Sequence, residues 1–326
     1  MKAAVLHTLG EAPRFEDFPE PMPEKGEVIV HVKASSLNNL SKMRAGGSHY
    51  DSYQSLPAVC GVDGVGLLDD GARVYCGGCR PPYGMMAQRA VVSRSWCLSI
   101  PDGVDVITAA ALPNAALSSW LPLAFRAQLK PDETVLILGA TGVAGKLAVQ
   151  IARHLGAGRV VAAGRNRQVL HTLDDLGADM VISLDQSDQE LVETFAREAR
   201  HHPFDIILDY LWGRPAEALV RALIGHDAMA EASRVRFVSI AEMAGSTISV
   251  PSAVLRSSGL EMYGSGGGSI SHQALFDTFP QLWALAASGK LRIDTEPVSL
   301  ADVEDVWQRQ DGHGRRLVLI PQDLYE

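Results

Sequence analysis

The spacing of apolar residues in the middle of the chain predicts a strand, a turn, a helix and a second strand. The continuous apolar run Val135–Leu138 has the length of a buried strand. After a glycine-containing turn, Leu147, Ile151 and Leu155 recur four residues apart, as on one face of an α-helix. A second apolar run, Val160–Ala163, follows the helix. The pattern therefore predicts a βαβ unit.

Strand and helix patterns continue to alternate after this unit, which is typical of a parallel, doubly wound sheet. The predicted elements are strand Met180–Ser183, helix Asp188–Arg200, strand Phe204–Leu208, helix Pro215–Ile224, strands Val235–Ile240 and Leu260–Tyr263, and a helix from about 272 to 288. Before the βαβ unit, short β-like runs separated by turn residues predict a mostly β domain. They are Ala3–Leu6, Glu27–Val32, Val65–Leu68, Arg73–Tyr75 and Arg89–Val92.

The tail from Val298 to Pro321 predicts a strand, a short helix beginning at Asp302 and a last strand, Arg316–Ile320. It is too short for a domain of its own, so we expect it to return to the β domain. The predicted division is 1–118 with 290–326 for the β domain and 119–289 for the doubly wound domain. The fold class is α/β.

The turn of the βαβ unit has the glycine spacing of a dinucleotide site. It reads Gly139-Ala140-Thr141-Gly142-Val143-Ala144-Gly145, with alanine where the usual fingerprint has its first glycine. Gly142 lets the backbone approach a pyrophosphate, and Gly145 lets the helix pack closely on its strand. The helix N-terminus then offers free N–H groups to the phosphates. The alternative is a glycine turn in an α/β protein that binds no nucleotide.

The residues after the second strand favour NADPH over NADH. An NAD site usually has Asp or Glu there for the ribose 2′-hydroxyl, but this chain reads Gly164-Arg165-Asn166-Arg167. A guanidinium binds phosphate oxygens in two places, which suits the 2′-phosphate of NADPH. We therefore predict that Gly164, Arg165 and Asn166 bind this part of the cofactor. The alternative is a solvated helix start in which Asn166 is only an N-cap.

Composition narrows the choice of partners and location. The 326 residues are 47% hydrophobic and 21% charged, as in a globular protein of two domains. A net charge of −9 argues against nucleic acid and anionic membranes as partners. The sequence has no apolar run of 18 or more residues, so we expect no transmembrane helix. The N-terminus becomes polar too early for a secretory signal. Four cysteines are too few for disulfides to stabilise a chain of this length, so we expect reduced thiols and a cytoplasmic protein.

Several motifs, in order and spacing, resemble the medium-chain dehydrogenase/reductase superfamily, specifically its zinc-independent quinone oxidoreductase branch. They are M-K-A-A-V at the start, G-E-V-I-V-H-V-K-A-S-S-L-N-N at 26–39, L-P-A-V-C-G-V-D-G-V-G at 56–66, A-A-L-P-N-A-A-L-S-S-W at 110–120, the glycine turn and G-S-G at 264–266. The resemblance implies a GroES-like mostly β catalytic domain beside a Rossmann domain that binds NADPH. It also implies a homodimer, for which the strand Leu260–Tyr263 is a plausible pairing edge.

Zinc ligands of the superfamily are missing from the matching positions. Asn38 stands where zinc-dependent members have Cys, and Gly61-Val62-Asp63 stands where they have Gly-His-Glu. A catalytic zinc needs three protein ligands, so we expect no metal. The Cys76-Gly-Gly-Cys79 pair is half of a structural zinc site, but neither Cys60 nor Cys97 has a paired ligand nearby. A redox disulfide and two ordinary thiols are the other interpretations.

The resemblance also implies where the chemistry occurs, in a cleft between the domains. Asn38 would hydrogen-bond a substrate carbonyl, and Tyr50 lies in a loop near the active site of that branch. Ile240 and Gly264-Ser265-Gly266 would border the nicotinamide. For Asn38 the alternative is a turn residue that bonds its own backbone, and for Tyr50 it is a surface loop. A proton could come from a tyrosine or from water.

These features predict NADPH-dependent hydride transfer to a quinone or enone. Such acceptors are already electrophilic, whereas alcohol oxidation needs a Lewis acid to lower the pKa of the hydroxyl. One rival is an atypical short-chain reductase, but there the glycine turn opens the chain and a Tyr-x-x-x-Lys pair supplies the acid. This chain has neither feature. A second rival is a protein that binds NADPH as a sensor or scaffold without turnover. A reductase of another carbonyl substrate is the remaining alternative.

Overall fold

The structure is a computed structural model that describes residues 1–225, 231–309 and 314–321. Its strands are β1 (Lys2–Leu6), β2 (Arg14–Asp17), β3 (Glu27–Leu37), β4 (Ala58–Val59), β5 (Asp63–Leu67), β6 (Arg73–Gly77), β7 (Arg89–Ser93), β8 (Leu98–Ser99), β9 (Thr134–Leu138), β10 (Arg159–Gly164), β11 (Met180–Ser183), β12 (Ile206–Asp209), β13 (Arg234–Ser239), β14 (Gly259–Gly264), β15 (Thr295–Ser299) and β16 (Arg316–Ile320). Its helices are α1 (Asn39–Gly46), α2 (Val106–Leu121), α3 (Val143–His154), α4 (Arg167–Leu170), α5 (Asp188–His201), α6 (Gly213–Ala222), α7 (Ser252–Ser257), α8 (His272–Ala287) and α9 (Val303–Trp307).

The chain forms two compact units, residues 1–114 with 283–326 and residues 115–282. The sequence predicts boundaries at 118 and 289. The first unit is mostly β, and its long strand β3 pairs antiparallel with β5, β7 and β16. The tail returns to this unit because β15 and β16 join the same sheet, in the order β15-β16-β3-β5-β6-β8. A small sheet, β2-β1-β4, completes the unit.

The second unit is a six-stranded parallel sheet in the order β11-β10-β9-β12-β13-β14. Strand β9 lies in the middle, so the chain adds strands on one side and then on the other. The topological switch point of the sheet is between β9 and β12, where ligands of doubly wound proteins bind. Leu136, Ile207 and Phe237 on three of the strands are fully buried in one apolar cluster. The predicted α/β fold, with a mostly β domain and a doubly wound domain, is confirmed.

Helix α2 is the main element that the sequence pattern does not predict. The residues 106–121 are apolar almost all round, so no amphipathic spacing marks them as a helix, and Pro113 lies inside. With the π-helical turn Pro122–Arg126, α2 is long and apolar enough to cross a membrane by composition alone. However, 61% of that apolar window is buried within the protein, as is typical of a core helix. The short helices α1, α4 and α7 are also absent from the predicted elements.

Candidate functional site

Two of the glycines from the end of β9 to the first turn of α3 are required by the local backbone. Gly139 has φ +93°, which residues with a Cβ rarely adopt, and it turns the chain out of β9. A Cβ on Gly145 would lie 2.2 Å from the carbonyl oxygen of Gly139. Glycine at 145 therefore allows the first turn of α3 to pack directly on the loop, as the glycine spacing predicts.

Gly142 is different, because nothing in the protein's own packing requires a glycine there. Its φ is −82°, and an added Cβ would have its nearest contact at 3.6 Å, an ordinary separation. Gly142 is also the N-cap of α3, and no side chain caps the helix at this residue. The amides of Val143, Ala144 and Gly145 in the first turn lack intrahelical partners. An open glycine at such a helix N-terminus fits a pyrophosphate group.

Ala140 and Thr141 join the glycine turn to the end of β10. The amides of Gly139 and Ala140 both donate to the Ala163 carbonyl oxygen at 2.9 Å. A Cβ on Gly164 would lie 2.4 Å from Cγ2 of Thr141, so the glycine lets the threonine side chain pack against β10. The residues that follow β10 consequently lie beside the turn.

Arg165, the first residue after β10, is exposed and makes no hydrogen bond or ion pair with any part of the chain that the structure describes. Arg167 differs, because its guanidinium lies 3.3 Å from the Asp185 carboxylate. The Asn166 side-chain oxygen accepts hydrogen bonds from the amides of Gln168 and Val169 in α4, at 3.1 and 3.2 Å. Asn166 thus serves as an N-cap, and its predicted contact with the cofactor stays a prediction. Arg165 is the cation that is available to an added phosphate.

The other predicted cofactor residues lie at the carboxyl ends of β13 and β14, on the same edge of the sheet as the glycine turn. The Ile240 amide donates to the last carbonyl of β12 at 2.8 Å, and the Ser265 amide donates to the last carbonyl of β13 at 2.9 Å. An added Cβ on Gly264 would meet no atom within 4 Å.

Gly266 begins a tight turn, in which its amide donates to the hydroxyl of Ser269 at 3.0 Å. Arg126 donates to the Gly264 carbonyl at 3.1 Å.

Two buried polar residues, Asp209 and Tyr210, lie at the end of β12 and are not among the predicted site residues. The Asp209 carboxylate accepts the amides of Leu211 and Trp212, and burial nevertheless raises its pKa to about 6. The Tyr210 ring is buried and its hydroxyl lies 3.3 Å from the Ser118 hydroxyl of α2. The signal that could have identified Tyr210 is its position, one residue past a parallel strand of the sheet.

In the first unit, Asn38 belongs to a buried polar cluster. Its side-chain oxygen caps α1 by accepting the Ser41 amide at 2.8 Å and the Ser41 hydroxyl at 3.0 Å. Its amide nitrogen donates to the Ser36 hydroxyl at 3.1 Å and to the Asp63 carboxylate at 3.3 Å. The two amide hydrogens are thus both within reach of internal acceptors. A substrate carbonyl could bond Asn38 only by replacing one of these contacts.

Asp63 is the charged centre of this cluster. Besides Asn38 and Ser36, the Tyr75 hydroxyl donates to it at 2.6 Å. Burial raises the pKa of Asp63 to about 6, although the hydrogen bond from Tyr75 and the charge of Arg316 favour the ionised form. From the sequence, Asp63 is interpreted only as part of a missing zinc-ligand motif. Its partners are separated from it along the chain and meet it through the pairing of β3, β5 and β6.

Tyr50 lies apart from that cluster. Its side chain is 82% exposed, and its ring stacks on His49 with the centroids 4.0 Å apart. Among the described residues, the Tyr50 hydroxyl has no hydrogen-bond partner. The structure thus gives Tyr50 an accessible phenol, and its catalytic role stays a prediction.

The cysteines are free thiols in the first unit, with Cys60 and Cys76 buried. Burial raises the pKa of Cys60 and of Cys79 to about 12, and raises the pKa values of Cys76 and Cys97 as well. A thiolate is the form that ligates zinc, so these surroundings disfavour it. Within residues 1–225, 231–309 and 314–321, no three His, Cys, Asp or Glu side chains are grouped as a metal site requires.

Comparison with protein families and sequences relates this geometry to known proteins. The family model described as zinc-binding dehydrogenase matches residues 143–288. A protein of Emericella nidulans named as a probable NADPH-dependent quinone reductase, tdiC, is 26% identical over 98% of this chain and 100% of its own length. The phenolphthiocerol synthesis polyketide synthase type I Pks15/1 of Mycobacterium bovis is 30% identical over 63% of this chain, but this match covers only 10% of the synthase.

Solved structures resemble the chain over nearly its whole length. The quinone oxidoreductase of Thermus thermophilus, also solved as a complex with NADPH, is 28% identical with a TM-score of 0.78, covering 98% of this chain and 100% of that chain. The quinone oxidoreductase of Pseudomonas syringae pv. tomato has a TM-score of 0.85 at 23% identity, covering 98% and 99% of the two chains, and shows the shared fold.

Proposed function

Since the chain belongs to the medium-chain dehydrogenase/reductase superfamily, in its quinone oxidoreductase branch, we propose that it transfers hydride from NADPH to a quinone or another α,β-unsaturated carbonyl without a catalytic zinc. The observation that carries the cofactor assignment is Arg165. It is an exposed guanidinium without a partner in the described part of the chain, directly after β10 and beside the glycine turn. A free cation at this position attracts the 2′-phosphate, which NADH lacks.

Each segment of the cofactor has residues to hold it in this proposal. The first-turn amides of α3 and the open side of Gly142 receive the pyrophosphate. Gly164, Arg165 and the N-cap Asn166 receive the adenosine ribose and its phosphate. Ile240 and the segment Gly264–Gly266 border the nicotinamide. When bound, NADPH supplies the hydride, and the protein contributes orientation and the exclusion of water.

A quinone or enone suits a site that has no Lewis acid. The acceptor is already electrophilic, and the protein only needs to stabilise the charge that develops on the carbonyl oxygen. The donor set of the first unit supports this choice, because its thiols have raised pKa values and its position 62 is a valine. Oxidation of an alcohol would require a group that lowers the hydroxyl pKa.

We keep Asn38 and Tyr50 as the proposed residues for the substrate. The Asn38 amide would exchange its contact with Ser36 or Asp63 for the substrate carbonyl oxygen. The phenol of Tyr50 is exposed to solvent and is one source of the proton that the reduced substrate takes up. Water is the other source. Substitution of Tyr50 by phenylalanine separates these two sources, because a water-dependent reaction would keep its rate.

The direct test is oxidation of NADPH by the purified, EDTA-dialysed protein with naphthoquinone and with a small enone, in parallel with NADH. We expect turnover that prefers NADPH and that added zinc does not increase. Tight binding of NADPH without oxidation by any acceptor would indicate a sensor or scaffold instead. Activity that EDTA abolishes and zinc restores would overturn the zinc-free mechanism.

We further propose a cytoplasmic homodimer that binds neither nucleic acid nor membranes. The net charge of −9 and the four free thiols support the location and the lack of anionic partners. Strand β14 supports the dimer, because in the described sheet it pairs only with β13 and leaves its other edge open. Light scattering coupled to size exclusion should give the mass of two chains, and the mass of one chain would contradict the dimer.

A further inference from the structure

Asp185 lies beside the segment that follows β10. Strands β10 and β11 are parallel neighbours in which Gly164 pairs with Ser183, so the two strands end at the same level of the sheet. The Leu184 amide donates to the Gly164 carbonyl at 2.8 Å and continues this pairing by one residue. Asp185 is therefore the first residue past the pairing, next to the segment that the proposed function assigns to the 2′-phosphate.

The Asp185 carboxylate and the Arg167 guanidinium form an ion pair at the surface. The nearest oxygen and nitrogen lie 3.3 Å apart, and the two side chains are 71% and 70% exposed. Across the part of the chain that the structure describes, neither side chain has a second hydrogen bond or ion pair. Arg165 has no such partner there. The segment thus carries two cations, and one of them is held by an anion.

The 2′-phosphate of NADPH competes with Asp185 for the same guanidinium. Carboxylate and phosphate are both anions that arginine binds with parallel N–H donors. Before the cofactor binds, Arg167 is engaged by Asp185, so a contact with the phosphate requires the loss of this pair. An exposed ion pair is weak, and its loss corresponds to a factor of up to about five in a dissociation constant.

The charge of Asp185 acts in the same direction as this competition. A carboxylate near the adenosine ribose repels the 2′-phosphate, whereas NADH has an uncharged hydroxyl there and is not repelled. An acidic residue beside this ribose is a feature of NAD sites, in which it follows the second strand. Here the acidic residue follows the neighbouring strand β11, so it opposes the effect of Arg165 without replacing it.

We propose that Asp185 is a specificity-determining residue that lowers the preference of the protein for NADPH over NADH. It holds Arg167 away from the 2′-phosphate and adds a negative charge beside this group. The inference rests on the proposed binding of NADPH. It gives the two arginines different roles: Arg165 binds the phosphate in the wild type, and Arg167 is restrained by Asp185.

The test measures dissociation constants of NADPH and NADH by fluorescence titration for the wild type, Asp185→Asn, Arg167→Ala and the double variant. Asparagine keeps the size of the side chain and removes its charge. Asp185→Asn should bind NADPH roughly two- to tenfold more tightly and NADH as tightly as the wild type does. Arg167→Ala should cost about two- to fivefold more NADPH affinity in the Asp185→Asn background than in the wild type, because only there is the guanidinium released.

Asp188→Asn is the matched control. Asp188 is exposed to the same extent as Asp185 and also pairs with an arginine, but its partner is Arg214. The variant removes the same charge three residues further along the chain, so it should change the ratio of the two dissociation constants by less than about twofold. Equal gains of NADPH affinity in Asp185→Asn and Asp188→Asn would indicate a general effect of net charge and would overturn the proposal.

Two other outcomes would also overturn it. One is NADPH binding that is unchanged or weaker in Asp185→Asn, and the other is an equal cost of Arg167→Ala in the two backgrounds. In either case the proposed function stands if the wild type still binds and oxidises NADPH. A wild type that binds neither nucleotide is a distinct result, because then the proposed function itself fails.

Discussion

The Tyr75 hydroxyl donates a 2.6 Å hydrogen bond to the Asp63 carboxylate inside the mostly β unit. This contact, with those from Ser36 and Asn38, partly offsets the loss of water around a side chain that is only 4% exposed. Burial is the larger effect, so the pKa of Asp63 is raised to about 6. The cluster therefore links the stability of this unit to pH.

The sign of this link follows from the direction of the pKa shift. The folded pKa of about 6 lies above the unfolded value of about 3.9, so the folded state binds the proton more tightly. The contribution of protonated Asp63 to the stability of the folded state is fully present below about pH 4, and it is lost as the pH rises through about 6. Replacing Asp63 by asparagine removes this loss. Relative to wild type, Asp63→Asn should gain roughly 3 kcal/mol of unfolding free energy between about pH 4 and pH 7.

Urea unfolding at several pH values measures this difference. Asp174→Asn is the control, because Asp174 is exposed and its variant should follow the wild-type pH dependence. A free-energy difference between Asp63→Asn and wild type that stays constant with pH would show that folding does not shift the pKa of this carboxyl, and would contradict the prediction.

Arg165→Ala should weaken NADPH binding and leave NADH binding unchanged. Loss of a charged hydrogen-bond donor to a phosphate corresponds to roughly a 10- to 100-fold increase in the dissociation constant. Arg167→Ala is the matched control, because this guanidinium is already engaged by Asp185. Its effect on NADPH should be smaller. Equal losses of NADPH affinity in the two variants would show that Arg165 is not the main residue that binds the 2′-phosphate.

The same glycine-to-alanine change should have opposite consequences at two positions of the turn. Gly145→Ala places a Cβ 2.2 Å from a backbone oxygen, so the protein should lose about 1 to 3 kcal/mol of unfolding free energy. Gly142→Ala has space and an allowed φ, so stability should change by no more than about 1 kcal/mol. Nucleotide binding should nevertheless decrease, since the Cβ would occupy the space assigned to the pyrophosphate. Calorimetry with and without NADPH distinguishes these effects.

The four thiols should react slowly in the folded protein. Their raised pKa values leave little thiolate at about pH 8, and two of the side chains are buried. Labelling with iodoacetamide, followed by mass spectrometry, should modify Cys97 first, because it is less buried, and all four only after denaturation. Rapid labelling of Cys76 or Cys79 in the native protein would instead support a redox role for that pair.

The doubly wound unit could be predicted from the sequence because its strands are buried on both faces. Such strands read as continuous apolar runs, and the glycine turn fixes which run begins the βαβ unit. Helix α2 could not be predicted in this way, because a helix that is apolar on every face has no amphipathic spacing and Pro113 argues against a helix locally.

The candidate site was predictable only where neighbouring residues form it. The turn and Arg165 are local in sequence and could be predicted, whereas the contact that engages Arg167 with Asp185 is visible only in the structure. The Asp63 cluster and the Tyr210–Ser118 pair each join residues from distant elements. Their signals depend on sheet register and helix position, which single-residue patterns do not contain.

The most direct test of the central claim is transfer of deuterium from NADPH labelled at one face of nicotinamide C4 to cyclohexenone. Hydride transfer places the label on the β-carbon of the saturated ketone, where it does not exchange with water. We predict that one of the two C4-labelled forms of NADPH gives a product with a single deuterium, in EDTA-treated protein. A saturated product without deuterium from either form, or no product while NADPH binds, would contradict hydride transfer to an enone.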